Sequence, residues 1–147
     1  MWRFILVGGV AATIHGSARL TLDLDIVYRR SSENMKRLIQ SLKPYDPYLR
    51  GAPHGLPFQW DVETLQRGLN FTLITKLGPV DLLGEITGGG TYEQLLASTV
   101  TVTAFGVNCR CITLDRLIEV KRAAGRTKDF EAIAELEALR DERNRSS

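Results

Sequence analysis

The chain opens with an apolar run, Phe4-Ile5-Leu6-Val7, that stops at Gly8-Gly9. Bounded by glycine, it predicts a short buried strand over 4–7. A short helix over 10–15 follows, opening on the diglycine and stopping at Gly16. The pattern then alternates. Arg19, Thr21, Asp23 and Asp25 fall on one side, and Leu20, Leu22, Leu24 and Ile26 on the other. This predicts a strand over 21–28 with one face on a core and one polar face. Met35, Leu38, Ile39 and Leu42 recur at helical spacing, so a helix is expected over 33–42. Ser31 or Ser32 can cap it, and Pro44 ends it.

Residues 44–68 hold Pro44, Pro47, Pro53 and Pro57, a long connection with a short helix near 62–67. Connections of this length in compact domains are often functional. Two strands, 71–76 and 80–86, form a hairpin through Leu77-Gly78-Pro79. Gly88-Gly89-Gly90 is a flexible stop, and Thr91 caps a helix over 92–98. A second hairpin, 100–105 and 108–113, turns at Gly106. Two helices close the chain. One opens at Leu114-Asp115 and ends near Gly125. The other opens at Asp129 and carries Phe130, Ile133, Leu136 and Leu139 on one stripe. The expected fold is α+β: a single domain over 1–147, with a central mixed sheet flanked by helices (core 4–113) and a C-terminal helix pair (114–141). The polar tail, 140–147, is expected to fray.

Composition narrows the class. Of 147 residues, 44% are hydrophobic and 24% charged, the profile of a soluble globular domain. A net charge of +2 makes no strong case for a nucleic-acid partner, though it permits a locally basic groove. The run 4–12 is too short for a membrane span and lacks the features of a signal peptide. Cys109 and Cys111 lie two apart on one expected strand, poor geometry for a disulfide, and read as reduced core residues. That favours a cytoplasmic location.

The polar face of the 21–28 strand carries the candidate chemistry. Two carboxylates so close, Asp23 and Asp25, repel unless a cation lies between them. Hard oxygen donors suit Mg²⁺ or Mn²⁺, and Mg²⁺ typically uses one or two carboxylates plus substrate phosphates. Gly8 and Gly9 would let a phosphate chain approach the backbone. Ser17 and Arg19 could bond a triphosphate, Arg19 as a fork. His15, at a helix end, reads as a structural cap favoured by the helix dipole.

Taken together, the diglycine, Ala11, His15-Gly16, and Arg19-x-Thr21-x-Asp23-x-Asp25 resemble the signature of the DNA polymerase beta-like nucleotidyltransferase superfamily. The extended form is most similar to its bacterial branch of abortive-infection toxin-type enzymes. The resemblance implies a metal-dependent transfer of a nucleoside monophosphate from an NTP to a hydroxyl. The acceptor would be an RNA end, a protein or a small molecule, and an antitoxin would be a partner. It also implies a third carboxylate on a strand beside the Asp-x-Asp strand. Asp81 fits, completing the metal site with Asp23 and Asp25 or activating the acceptor, and Glu85 is its rival. Gly8, Gly9, Ser17, Arg19 and Thr21 would serve the nucleotide.

Lys121, and Asp129 after Arg126-Thr127-Lys128, resemble the branch's later motifs. By that likeness Lys121 reaches phosphate and Asp129 caps or orients the site. The branch usually carries a further Asp where this chain has Ala132, and a helix ahead of the first strand where this chain has Met1-Trp2-Arg3. The rival class is a non-catalytic nucleotide-binding or interaction protein on the same fold.

Overall fold

The structure, a computed structural model, describes residues 2–53, 55–104 and 106–146. The elements run β1 (Phe4–Val7), α1 (Gly8–Ile14), β2 (Leu24–Tyr28), α2 (Ser32–Leu42), β3 (Tyr48–Leu49), α3 (Val62–Arg67), β4 (Asn70–Thr75) and β5 (Gly78–Leu83). They continue with β6 (Glu85–Ile86), β7 (Gly90–Thr91), α4 (Tyr92–Leu95), β8 (Thr99–Ala104), β9 (Val107–Ile112), α5 (Leu114–Ala124) and α6 (Phe130–Ser146). A 7-stranded mixed sheet has the order β3-β4-β5-β2-β1-β9-β8, and β6 pairs with β7 apart from it. The contacts β2–β5 and β1–β9 are parallel, and the other pairs antiparallel. This is the expected α+β architecture, a mixed sheet flanked by helices.

The burial pattern explains the layers. β1 lies between β2 and β9, and its Ile5, Leu6 and Val7 are all buried, as a central strand covered on both faces requires. β4 alternates: Phe71, Leu73 and Thr75 are buried, whereas Asn70, Thr72 and Ile74 are exposed. Leu38 of α2, Leu65 of α3, Leu95 of α4, Leu117 and Ile118 of α5, and Leu136 of α6 join the strands in one core. Ser31 caps α2 by accepting from the Asn34 amide. Thr113 caps α5, which ends on Gly125 in the left-handed region at φ 64.

Four expectations need correction. The carboxylate strand begins at Leu24 rather than at 21. β1 ends at Val7, opposite Asp25, because Gly8 turns the chain into α1, so residues before Leu24 have no β1 partner. Leu20 (88% exposed) and Leu22 (77%) therefore leave the core face assigned to them. The strand expected over 80–86 stops at Leu83. The Gly84 amide bonds instead to Leu69 O (3.1 Å) and Asn70 Oδ1 (2.8 Å), and Glu85–Ile86 join the separate ribbon. The tail expected to fray is helical to Ser146, anchored by Arg143, which donates to His15 O at 3.0 Å. Finally, the short β3 was not expected. The end of the strand over 100–105, Phe105, lies outside the described residues.

Candidate functional site

A row of residues crosses the sheet at one level. Val7 of β1 pairs with Asp25 of β2, Asp25 with Asp81 of β5, and Asp81 with Thr72 of β4. Arg50, one residue past β3, continues the row by donating its amide to Thr72 O at 3.0 Å. Residues opposite one another on neighbouring strands share a face, so Asp25, Asp81 and Arg50 meet on the same side of the sheet.

The two aspartates are tightly linked. The Asp25 carboxyl is pushed up to about 7. Burial is the largest cause, followed by its hydrogen bond with Asp81 and the negative charges of Asp81 and Asp23, while Lys121 pulls the other way. Asp25 Oδ1 is buried with no hydrogen-bond partner. Two carboxyls sharing a hydrogen bond, one with an orphaned oxygen, need a proton or a cation between them at neutral pH. Their hard oxygen donors fit Mg²⁺ or Mn²⁺. Asp23, just ahead of β2, stands at the edge of this pair. Among the described residues no group of three or more His, Cys, Asp or Glu side chains converges closely enough to hold a metal. The cation beside the pair is the Arg50 guanidinium. Its Nη2 lies 2.8 Å from Asp81 Oδ1 and its Nη1 3.8 Å from Asp23 Oδ2. Nη2 also donates to Leu73 O at 2.8 Å.

The diglycine has a packing reason of its own. A Cβ on Gly8, whose φ is +64, would stand 2.1 Å from Asp25 Oδ2. A Cβ on Gly9 would stand 2.4 Å from Thr21 Oγ1. The glycines thus make room for the side chains of the Arg-x-Thr-x-Asp-x-Asp segment. Gly9 still borders open space, a cavity of about 170 Å³ lined also by Ser17, Arg19, Thr21, Lys121 and Asp129. Of the residues expected to serve the nucleotide, only Gly8 lies elsewhere. It borders a second cavity, of about 320 Å³, with Asp25, Asp81, Glu85 and Lys121. Glu85 has left the sheet yet still faces this cavity, and Lys121 lines both.

Lys121 is held where the two cavities meet. Its side chain is only 14% exposed, and its Nζ lies 4.0 Å from Asp129 Oδ1. Asp129 sits in a 3-10 turn, Thr127–Asp129, ahead of α6, and also accepts from Arg126 Nε at 2.7 Å. Asp129 therefore lies ahead of α6 rather than opening it, between Arg126 and Lys121. Two other expected phosphate ligands are engaged by α6. Ser17 donates to Glu135 at 2.5 Å, and Arg19 lies 3.7 Å from Glu131. Ala132, which stands where the resembled branch usually carries a further aspartate, lines the first cavity.

His15 is structural, by physics other than that anticipated. It caps the end of α1, but burial lowers its pKa, so the ring is not a helix-end cation. Nε2 donates to Ile112 O at 2.7 Å, and Nδ1 accepts from Arg143 at 3.2 Å. The cysteines are free, and burial pushes the Cys111 thiol up to about 11, so it is no nucleophile.

Sequence reasoning missed Arg50, Glu131 and Glu135. Only the length of the 44–68 connection hinted at Arg50. Parity against an apolar stripe could have placed Glu131 and Glu135 on the α6 face toward the glycine turn.

No protein-family model matches this chain, and no curated protein sequence does. Among solved structures, it is similar to a Thermotoga maritima chain described as a candidate nucleotidyltransferase. The two are 13% identical with a TM-score of 0.49, over 97% of this chain and 83% of that one.

Proposed function

We propose that this chain is a metal-dependent nucleotidyltransferase. It moves a nucleoside monophosphate from an NTP to a hydroxyl acceptor and releases pyrophosphate. The observation that carries the reading is the Asp25–Asp81 pair, two carboxyls opposed on parallel neighbours, with an orphaned buried oxygen, beside a cavity that Lys121 also lines. Asp25 and Asp81 would hold Mg²⁺ or Mn²⁺, with Asp23 at the edge of the pair adding its charge, and the metal would neutralise phosphate charge and lower the barrier to displacement at phosphorus. Lys121, fixed by Asp129, meets negative charge on the phosphates. Ser17, Arg19, Thr21 and the Gly8-Gly9 backbone line the approach for the rest of the nucleotide. In the step, the acceptor oxygen forms a bond to the α-phosphorus and the bond from that phosphorus to the pyrophosphate oxygen breaks. The hydroxyl proton passes to a carboxylate of the aspartate pair.

The acceptor would be an RNA end, a protein or a small molecule. The likeness to toxin-type enzymes extends the proposal to a cytoplasmic toxin held by an antitoxin, or one arm of a phage-defence pair. No helix among the described residues is long and apolar enough to cross a membrane.

The test is incubation of the purified chain with labelled NTPs and cell extract, with and without Mg²⁺, beside Asp23→Ala and Asp25→Asn. Label transfer that needs Mg²⁺ and both aspartates is the expected result. A second reading, a nucleotide-binding protein without transferase activity, is favoured by the engagement of Ser17 and Arg19 with Glu135 and Glu131. It predicts NTP binding with no label transfer to any acceptor.

A further inference from the structure

No motif announced Arg50, and its position is specific. Its backbone is pinned to β4 by the amide bond to Thr72 O, at 3.0 Å. Its guanidinium reaches both outer carboxylates, Asp81 at 2.8 Å and Asp23 at 3.8 Å, and is itself only 30% exposed. Its Nε is buried without a partner. A side chain that leaves a donor unsatisfied in this way is held by its other contacts, and here these are two carboxylates and the Leu73 carbonyl. A planar fork suits such a bridge better than an ammonium would.

We propose that Arg50 is an internal counter-cation that competes with divalent metal for Asp23 and Asp81. This rests on the reading of these aspartates as metal ligands. Oxygens that accept from Arg50 are withdrawn from a metal, and its positive charge opposes a second cation a few ångströms away. The free chain therefore binds divalent metal weakly, and removal of the guanidinium strengthens binding. A guanidinium that served only to hold the fold would do the opposite, since its loss would scatter the carboxylates.

The experiment is Mn²⁺ titration without nucleotide, followed by calorimetry or by the loss of the free Mn²⁺ resonance signal. The proteins are the wild type, Arg50→Gln, Arg50→Lys and Asp25→Asn, each checked for folding by circular dichroism. Arg50→Gln should bind Mn²⁺ about tenfold more tightly than wild type, a conservative figure for removing one charge at this distance. Arg50→Lys keeps a charge but loses the fork, and should bind severalfold more tightly. Equal or weaker binding by Arg50→Gln, with Mn²⁺ binding lost in Asp25→Asn, overturns the role of Arg50 and leaves the metal site standing. Absence of Mn²⁺ binding in the wild type and in both Arg50 variants overturns the metal site as well. If Arg50→Gln does not fold, the lysine variant decides alone: affinity unchanged from wild type overturns the proposal.

Discussion

The carboxyl of Asp25 fills the space that a side chain on Gly8 would need, with Oδ2 2.1 Å from the position of a Cβ there. The first glycine of the turn and the second aspartate of the motif are thus two halves of one contact. Gly8 also adopts φ +64, where L side chains are rarely found.

This contact predicts an asymmetry between two glycines with the same backbone angle. Gly125 also has φ +64, but nothing lies within 4 Å of its Cβ position. Gly125→Ala should cost only the left-handed penalty, about 1 kcal/mol. Gly8→Ala carries that penalty and must also displace a buried carboxyl, for about 3 kcal/mol or more. Denaturant unfolding of the two variants checks it. Equal losses would show that the Asp25 side chain yields without cost.

Asp25→Asn tests whether the aspartate pair is built for a charge rather than for the fold. The Asp25 carboxyl is raised to about 7 from its ordinary value of 3.8. The folded chain therefore holds a proton that the unfolded chain releases, and stability is lost as pH rises from about 4 through 7. In chelator below about pH 4 the variant should match wild type, because Asp25 is then protonated in both the folded and the unfolded chain and a protonated Asp and an Asn are alike. At pH 8 it should be more stable, by on the order of 1–2 kcal/mol once the partly open site is allowed for. It should also abolish label transfer. A variant that loses stability at pH 8 would instead make Asp25 a structural ligand.

His15 gives a pH dependence of the opposite sign. Burial, the largest cause, and the Arg143 charge lower its pKa below 6.5, against the raising effect of the Ile112 bond. The unfolded chain then binds the proton more readily, so this contribution is lost as pH falls below about 6.5. A charged ring would also face Arg143, which donates to Nδ1. His15→Gln keeps a donor for the Ile112 carbonyl and should flatten the acid side of the stability profile between pH 7 and 5. An unchanged slope in thermal melts would place the acid sensitivity elsewhere.

The sequence was most legible where local chemistry and tertiary need agree. The apolar run of β1, the serine cap and apolar stripe of α2, and the glycine stop of α5 were all readable, because capping and periodicity are short-range signals. Parity misplaced Leu20 and Leu22. Alternation says nothing about where a partner strand ends, and β1 ends at Val7. The placement of Asp81 beside Asp25 depends on a parallel register that no local signal encodes, and the resemblance supplied that expectation. Arg50 was invisible for a similar reason. It reaches the aspartates only because a two-residue strand, Tyr48–Leu49, docks on β4.

Lys121 offers the sharpest separation of nucleotide binding from metal binding. It lines both cavities, is almost buried, and lies 4.0 Å from Asp129. A lysine so placed has left most of its water behind, and the triphosphate is a partner of the right charge. NTP with Mg²⁺ in hundredfold excess over its dissociation constant should stabilise the wild type by about 2.7 kcal/mol, and NTP with a chelator by much less. Lys121→Met keeps the buried stem and removes the charge. It should lose most of the NTP-dependent shift in melting temperature while binding Mn²⁺ at least as tightly as wild type, because the aspartates are untouched and a nearby positive charge is gone. Asp129→Asn should weaken NTP binding by a smaller factor, since it frees Lys121 without removing it. A full NTP shift in Lys121→Met would place the phosphates away from this lysine, toward Ser17 and Arg19.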